Sequence, residues 1–337
     1  MEKNEKVLTE AEKELLAADA EFDNRKVFTP GQLVMRRFLK NKLAIIGLII
    51  IIMMALFSVI GPFLSPYGEY EIFYSKDDAE IIAEVSDIDF TQPGISLYSR
   101  AAPNARHWLG TDNDGRDIFT RLMYGGRISL TVGFVVVIVE MLIGVTLGGI
   151  AGYYRKWADN LIMRIADVFF CIPIFPVMLI LASVMLAFKV PPQTKIYFLM
   201  FAIALFGWAG VARLVRGQIL SLRDQEFMVA AEAIGLRPSR RIWKHLIPNV
   251  MPQLIVLATL EIGGTILLES SLSYLGMGLS FPYASWGNMV NQVTNRIILN
   301  DYLFIWVPPG ICILLTVLAF NFVGDGLRDA FDPKMKR

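Results

Sequence analysis

The chain has 337 residues, 55% of them hydrophobic and 19% charged, and its mean hydropathy is +0.50. That is more apolar surface than one water-soluble core can hide, so a membrane protein is expected. A net charge of +1 gives no ground for nucleic acid or another polyanionic partner, and Cys171 and Cys312, both within apolar runs, argue against a disulfide framework.

In chain order, Thr9 and Glu12 have the spacing of a capping box, which predicts a short surface helix over residues 9–22, ended before Pro30. The first apolar run, LAIIGLIIIIMMALFSVIGPFL, covers residues 43–64 without a charge. Its 22 residues make about 33 Å of helix, enough to cross the hydrocarbon layer. The polar residues 1–42 before it predict a retained anchor rather than a cleaved signal.

Five more spans are predicted, at 130–154, 161–188, 196–215, 248–275 and 303–323. Six spans put both termini on one side. With that arrangement 23 of the 32 Lys and Arg residues fall on the side of the termini and 9 on the other, which places both termini in the cytoplasm. The expected organisation is a cytoplasmic segment (1–42), an anchor (43–64), an extracytoplasmic region with an acidic insert (65–127), a five-helix core (128–325) and a cytoplasmic tail (326–337). The fold class is all-α, a polytopic membrane bundle.

In the extracytoplasmic region, residues 69–90 carry Glu69, Glu71, Asp77, Asp78, Glu80, Glu84, Asp87 and Asp89 against Lys76. Such a run is a solvated loop or a docking surface for an external partner. The GTDNDGRD stretch places Asp112, Asp114, Arg116 and Asp117 in an external turn, with Arg116 expected to brace it by pairing with a neighbouring Asp.

Within the spans Glu140, Arg164, Asp167, Glu261 and Glu269 are ionisable, and such residues face a bundle interior or water rather than lipid. Glu261 and Glu269, eight apart, are expected on one face of the fifth span, lining a path or pairing with a partner subunit. Pro173 and Pro176 in the third span, and Pro308 and Pro309 in the sixth, are expected to kink their helices. There is no GxxxxGK[ST] phosphate loop, and His107 and His245 lie on opposite sides of the predicted membrane. No ATPase site, no zinc site and no bond chemistry are expected.

The stretch QEFMVAAEAIGLRPSRRIWKHLIPN, residues 225–249, is a basic interruption between two apolar runs. Residues 227–234 read as a helix, Gly235 as its left-handed cap, Pro238 as the stop and 239–246 as a second short helix. Two readings fit these residues: a basic element on anionic head groups, or a docking element for a cytoplasmic protein.

The order Ala230, Ala231, Gly235, Ile242, Leu246, Pro248, Asn249 resembles the EAA loop of ABC-importer membrane subunits, whose coupling helix fits a groove on the ATPase. Three further stretches extend the likeness: HWLGTDNDGRDIFTRLMYGGRISL (107–130), LESSLSYLGMGLSFPYASWGNMV (268–290) and NFVGDGLRDAFDPKMKR (321–337). Over residues 35–337 the chain is similar to the C-type permease subunit of oligopeptide and dipeptide ABC importers. The resemblance implies a type I importer permease fold in a bacterial cytoplasmic membrane. It also implies a homologous permease partner, two cytoplasmic ABC ATPases and an extracytoplasmic peptide-binding lipoprotein, with ATP and Mg bound by the ATPases and no cofactor in this chain. It puts the ATPase contact on Val229, Ala230, Ala231, Glu232, Gly235 and Pro248. Where the family pattern has the Glu of EAA, this chain has Val229, so an ion pair to the ATPase is absent or moved to Glu226 or Glu232. Nickel or another small solute is the alternative cargo, and a stand-alone channel or secondary transporter the alternative class.

Overall fold

A computed structural model of the chain describes residues 29–76, 79–81, 95–279 and 282–332. The surface helix expected over 9–22 and most of the acidic run lie outside them. Helix α1 (Pro30–Lys40) opens on a reciprocal cap, in which the Thr29 hydroxyl accepts from the Gln32 amide and the Gln32 side chain accepts from the Thr29 amide. Asn41 then caps α2 (Lys42–Val59), its Oδ1 accepting from the amides of Leu43 and Ala44 at 3.1 and 3.3 Å. This first span stops before the expected residue 64. Pro62 lacks an amide donor, and the separate turn α3 (Gly61–Leu64) begins there with the proline in its first positions.

The region between the first two spans contains a small antiparallel sheet in the order β2-β1-β3, from β1 (Tyr74–Lys76), β2 (Ala79–Ile81) and β3 (Ile95–Leu97). Ser75 is opposite Glu80 on one side and Ser96 on the other. Strands of three residues give too short an alternation to read from sequence, and the remainder of the fold is helical as expected.

Helix α4 (Ile118–Tyr154) starts well before residue 130. Its first turns carry Arg121, Arg127, Gly125 and Gly126, which dilute the apolar signal. Asp117 nevertheless starts the helix, its carboxylate accepting from the Thr120 amide at 2.7 Å. At 37 residues it is about 55 Å long and projects beyond a hydrocarbon layer of about 30 Å.

The third span is two helices, α5 (Lys156–Cys171) and α6 (Ile174–Ala187), bent by 78°. Pro173 sits in the break, and Ile172 before it is extended, as the residue preceding a proline prefers. Pro176 falls in the first turn of α6, where no helical donor is lost. The chain continues through α7 (Pro192–Leu222), α8 (Glu226–Ala233), α9 (Pro238–Arg240), a π-helical turn (Arg241–Leu246) and α10 (Ile247–Tyr274). It ends with α11 (Trp286–Val290), α12 (Arg296–Asp301) and α13 (Leu303–Phe331). Unlike the third span, α13 runs through Pro308 and Pro309 unbroken.

Gly144, Gly148 and Gly152 recur every fourth residue on α4 and let α7 approach closely. A Cβ on Gly144 would lie 2.5 Å from the Val211 Cβ, and one on Gly152 would lie 2.9 Å from that of Ile219. Arg37 donates to the Asp332 carbonyl at 2.9 Å and Asn41 to Asp329 at 3.4 Å, so the end of α1, the start of α2 and the end of α13 share one end of the bundle. The α5–α6 pair starts at that end, where Asp159 meets Arg216, and finishes at the other, where Leu186 lines a cavity with Lys195 and Met277. Among the described residues five helices are long and apolar enough to cross a membrane, six with the broken pair counted as one span.

Candidate functional site

At the end of the bundle that holds α1 and the end of α13, α8 lies against the last turns of α4 and α7. Met228 packs with Tyr153, Ile219, Ile242 and Leu246, and Ala231, one turn on, is only 4% exposed. The opposite face is open: Val229 is 61% and Ile234 75% exposed, and Ala230 and Ala233 are exposed with them. Gly235 ends the helix at φ +74°. Its amide donates to the Glu232 carbonyl at 2.9 Å and the Leu236 amide to the Ala231 carbonyl at 3.1 Å, the paired bonds of a Schellman cap.

Beyond this apolar seat, ion pairs join the helices. Arg155 pairs with Asp224 at 2.7 Å, Arg213 with Asp167 at 2.9 Å and Arg216 with both oxygens of Asp159. Arg223 donates to the Tyr153 carbonyl and lies 5.1 Å from the centre of its ring.

Two expectations about this stretch change. Ala231 faces the chain's own interior, because the helical period that buries Met228 buries the residue three positions on. Glu232 is held by Arg241 at 3.0 Å, itself over the Tyr153 ring, which leaves Glu226, exposed on the first turn of α8, as an outward-facing acid. The second short helix expected over 239–246 is not separate either. The Ile247 amide reaches back five residues to the Ile242 carbonyl, and this wider turn carries the helix past Pro248, which has no donor, into α10.

At the opposite end a polar cap closes the bundle. Asp112 accepts from the amides of Asp114 and Arg116, each at 2.9 Å. Its other oxygen lies 3.4 and 3.3 Å from the Nε atoms of Arg116 and Arg121, charge contacts rather than aligned hydrogen bonds. Arg116 also pairs with Asp114, so the turn is braced by the residue expected to brace it. Both arginines donate to the Pro282 carbonyl, at 3.4 and 3.1 Å, and tie this turn to the loop before α11. Asp117 adds His107 Nδ1 at 2.8 Å to its helix cap. Trp286, fully buried, donates from its indole to the Leu122 carbonyl at 2.9 Å. Gly126 makes room for it, since a Cβ there would lie 2.6 Å from the indole ring. Glu69, from the acidic run, accepts from the Ala284 amide at 2.8 Å.

Comparison with known proteins fits this architecture. Residues 144–337 match the family described as binding-protein-dependent transport system inner membrane component, and residues 29–82 match the N-terminal TM domain of oligopeptide transport permease C. The chain belongs to the binding-protein-dependent permease family. It is 39% identical over 302 residues to the dipeptide transport system permease protein DppC of Bacillus subtilis, covering 90% of this chain and 85% of that one. It is 36% identical over 321 residues to the oligopeptide transport system permease protein OppC of the same organism, covering 95% of each. The glutathione transport system permease protein GsiD of Pectobacterium atrosepticum is 35% identical over 324 residues, 96% of this chain and 98% of that one. The family is one of membrane transport components, so the permease is a transport subunit rather than an enzyme.

The two acids of the fifth span do not share a surface in this permease. Eight residues advance a helix by about 80° beyond two full turns. Glu269 is therefore enclosed, accepting from the hydroxyls of Ser273, Ser129 and Ser270 at 2.7, 3.1 and 3.4 Å, while Glu261 is exposed. Ser129 in turn accepts from the Trp286 amide at 3.3 Å, so Glu269 belongs to the underside of the polar cap. Sequence reasoning noted Glu140 without assigning it a role. It is buried on α4 against Gly207 of α7, where any side chain would collide with its carboxyl group. An acid in one span opposite a glycine in another is a signal that appears only once the two helices are paired.

Proposed function

We propose that the chain is the C-type permease subunit of an ATP-driven importer of dipeptides or oligopeptides. It forms half of the path with a homologous permease, binds one of two cytoplasmic ABC ATPases through α8 and receives peptide from an extracytoplasmic binding lipoprotein. ATP and Mg belong to the ATPases. The observation that carries the reading is the exposed apolar crest of Val229, Ala230, Ala233 and Ile234. It stands on the apolar seat of Tyr153, Ile219 and Leu246 at the end of the bundle that bears most of the basic residues, which the positive-inside bias assigns to the cytoplasm together with both termini. Small and apolar side chains on a short rigid helix suit a fitted groove, and a rigid base passes ATPase closure on to the spans as a rigid-body movement. The dipeptide, oligopeptide and glutathione names of the relatives favour a peptide over nickel.

The test is purification of the tagged chain followed by reconstitution. A second permease and two ATPases should co-elute, and proteoliposomes should take up a peptide only with ATP inside and binding protein outside. Uptake by the chain alone, without ATP, would overturn the proposal in favour of a channel or secondary transporter. Topology is checked separately in a chain lacking Cys171 and Cys312: Glu71→Cys and Ser239→Cys should label from opposite sides of the membrane, and same-side labelling would refute the orientation.

A further inference from the structure

We infer that Glu140 and Glu261 form a site at mid-depth for a cationic group of the passing solute, of the class of a peptide's protonated amine. The inference rests on the face shared by α4, α7 and α10 being a wall of the path. Glu140 is 3% exposed, yet it receives no hydrogen bond and has no cation beside it among the described residues. The contrast is with Glu269, equally enclosed but satisfied by three serine hydroxyls. A carboxylate buried without a partner in the middle of a span is costly and marks a function rather than packing.

Helix α10 packs on α4 with Ile262 and Ile266 against Gly133, two turns from Glu140, and this brings up Glu261, a second carboxylate and the charged group whose field reaches Glu140. Glu261 lies about 20 Å of helix from either end of α10, at the depth of a bilayer centre. Arginines that might neutralise the pair are committed nearer the cytoplasmic end, Arg213 to Asp167 and Arg216 to Asp159. Two like charges in a medium of low dielectric repel, and a positive group brought between them turns that repulsion into attraction and offsets the cost of burying Glu140.

The wall beside the pair is shaped to admit one. Gly207 leaves the space that the Glu140 carboxyl fills, and at Gly210, one turn on, and at Gly264, one turn from Glu261, a side chain would meet open space. Bare backbone next to two acids gives a shallow trough that attracts an ammonium group without enclosing it. A transport path needs that balance, since a group held too tightly would not leave.

The experiment uses the complete transport complex with Cys171 and Cys312 replaced and Gly264→Cys introduced. The new thiol is treated with two water-soluble methanethiosulfonates, one bearing an ethylammonium group and the other an ethylsulfonate. Both should react, with the cationic reagent favoured by about tenfold or more over the ratio of the two rates on a free cysteine peptide. That preference should disappear in Glu140→Gln and in Glu261→Gln. A thiol that neither reagent reaches overturns the path reading itself. A thiol reached by both without charge preference leaves the path standing and overturns the cation site. If Glu140→Gln does not assemble, Glu261→Gln, at an exposed position, decides alone, and a preference that survives it refutes the inference.

Discussion

At the end of the bundle that carries the polar cap, polar side chains are used against one another: Asp112 against Arg116 and Arg121, Asp117 against His107, Glu269 against three serines. Nearly all of these are buried. At the other end Arg–Asp pairs, several of them partly exposed, join the neighbouring helices, α8 rests on an apolar seat, and further apolar side chains are left exposed on its crest. The first arrangement is closed, with each group answered within the chain. The second presents a surface that the chain itself does not cover. Exposed apolar residues on a well-anchored short helix mark a place for a partner, whereas a satisfied buried network fixes one geometry.

The largest effect that would break this comparison is Trp286→Ala. Removing a buried indole costs roughly 3–5 kcal/mol and takes from the Leu122 carbonyl the indole donor that joins α11 to α4. The thermal unfolding midpoint of the purified permease should drop sharply and its yield should fall. An unchanged midpoint would mean that the polar cap is not a structural element.

On the other side of the comparison, Val229→Asp and Ile234→Asp should leave that midpoint where it is. Both should weaken ATPase binding by roughly 2 kcal/mol, about thirtyfold, read as lost co-elution and lost stimulated hydrolysis. Full ATPase binding by both variants would reduce α8 to a surface element with no docking role.

Ala231→Trp sharpens the boundary between the two faces of α8. Because Ala231 faces inward, a tryptophan there overfills the seat under the helix and costs about 1–3 kcal/mol of the permease's own stability. The signature is a lower midpoint before any ATPase is added. A normal midpoint with impaired ATPase binding would instead put Ala231 on the docking face.

The smallest effect is expected from Glu232→Gln, since its ion pair with Arg241 is largely exposed on the glutamate side and such pairs are worth about 1 kcal/mol or less. Transport within about twofold of the unaltered level is the expected result, measured as initial uptake rate. A large loss would return Glu232 to the role of the acid missing at Val229.

Long apolar runs made six crossings the expectation from the sequence alone, because twenty or so mostly apolar residues have no other stable place, and the described residues hold five such helices and one broken pair. Pro173 marked the break in the third span and Gly235 the end of α8, since both act through their own backbone: proline by lacking an amide, glycine by tolerating positive φ. The resemblance over residues 35–337 carried the function. Tertiary structure decided which face of each helix is free. A helical period says that Met228 and Ala231 lie together, but only the packing of Tyr153 and Leu246 against them says that this face is the covered one. Likewise Glu269 and Glu140 look alike along the chain. Ser129 encloses the first across 140 residues of sequence, and Gly207 leaves the second without a donor. Period and composition are local quantities, and burial is set by residues that are far apart until the chain folds.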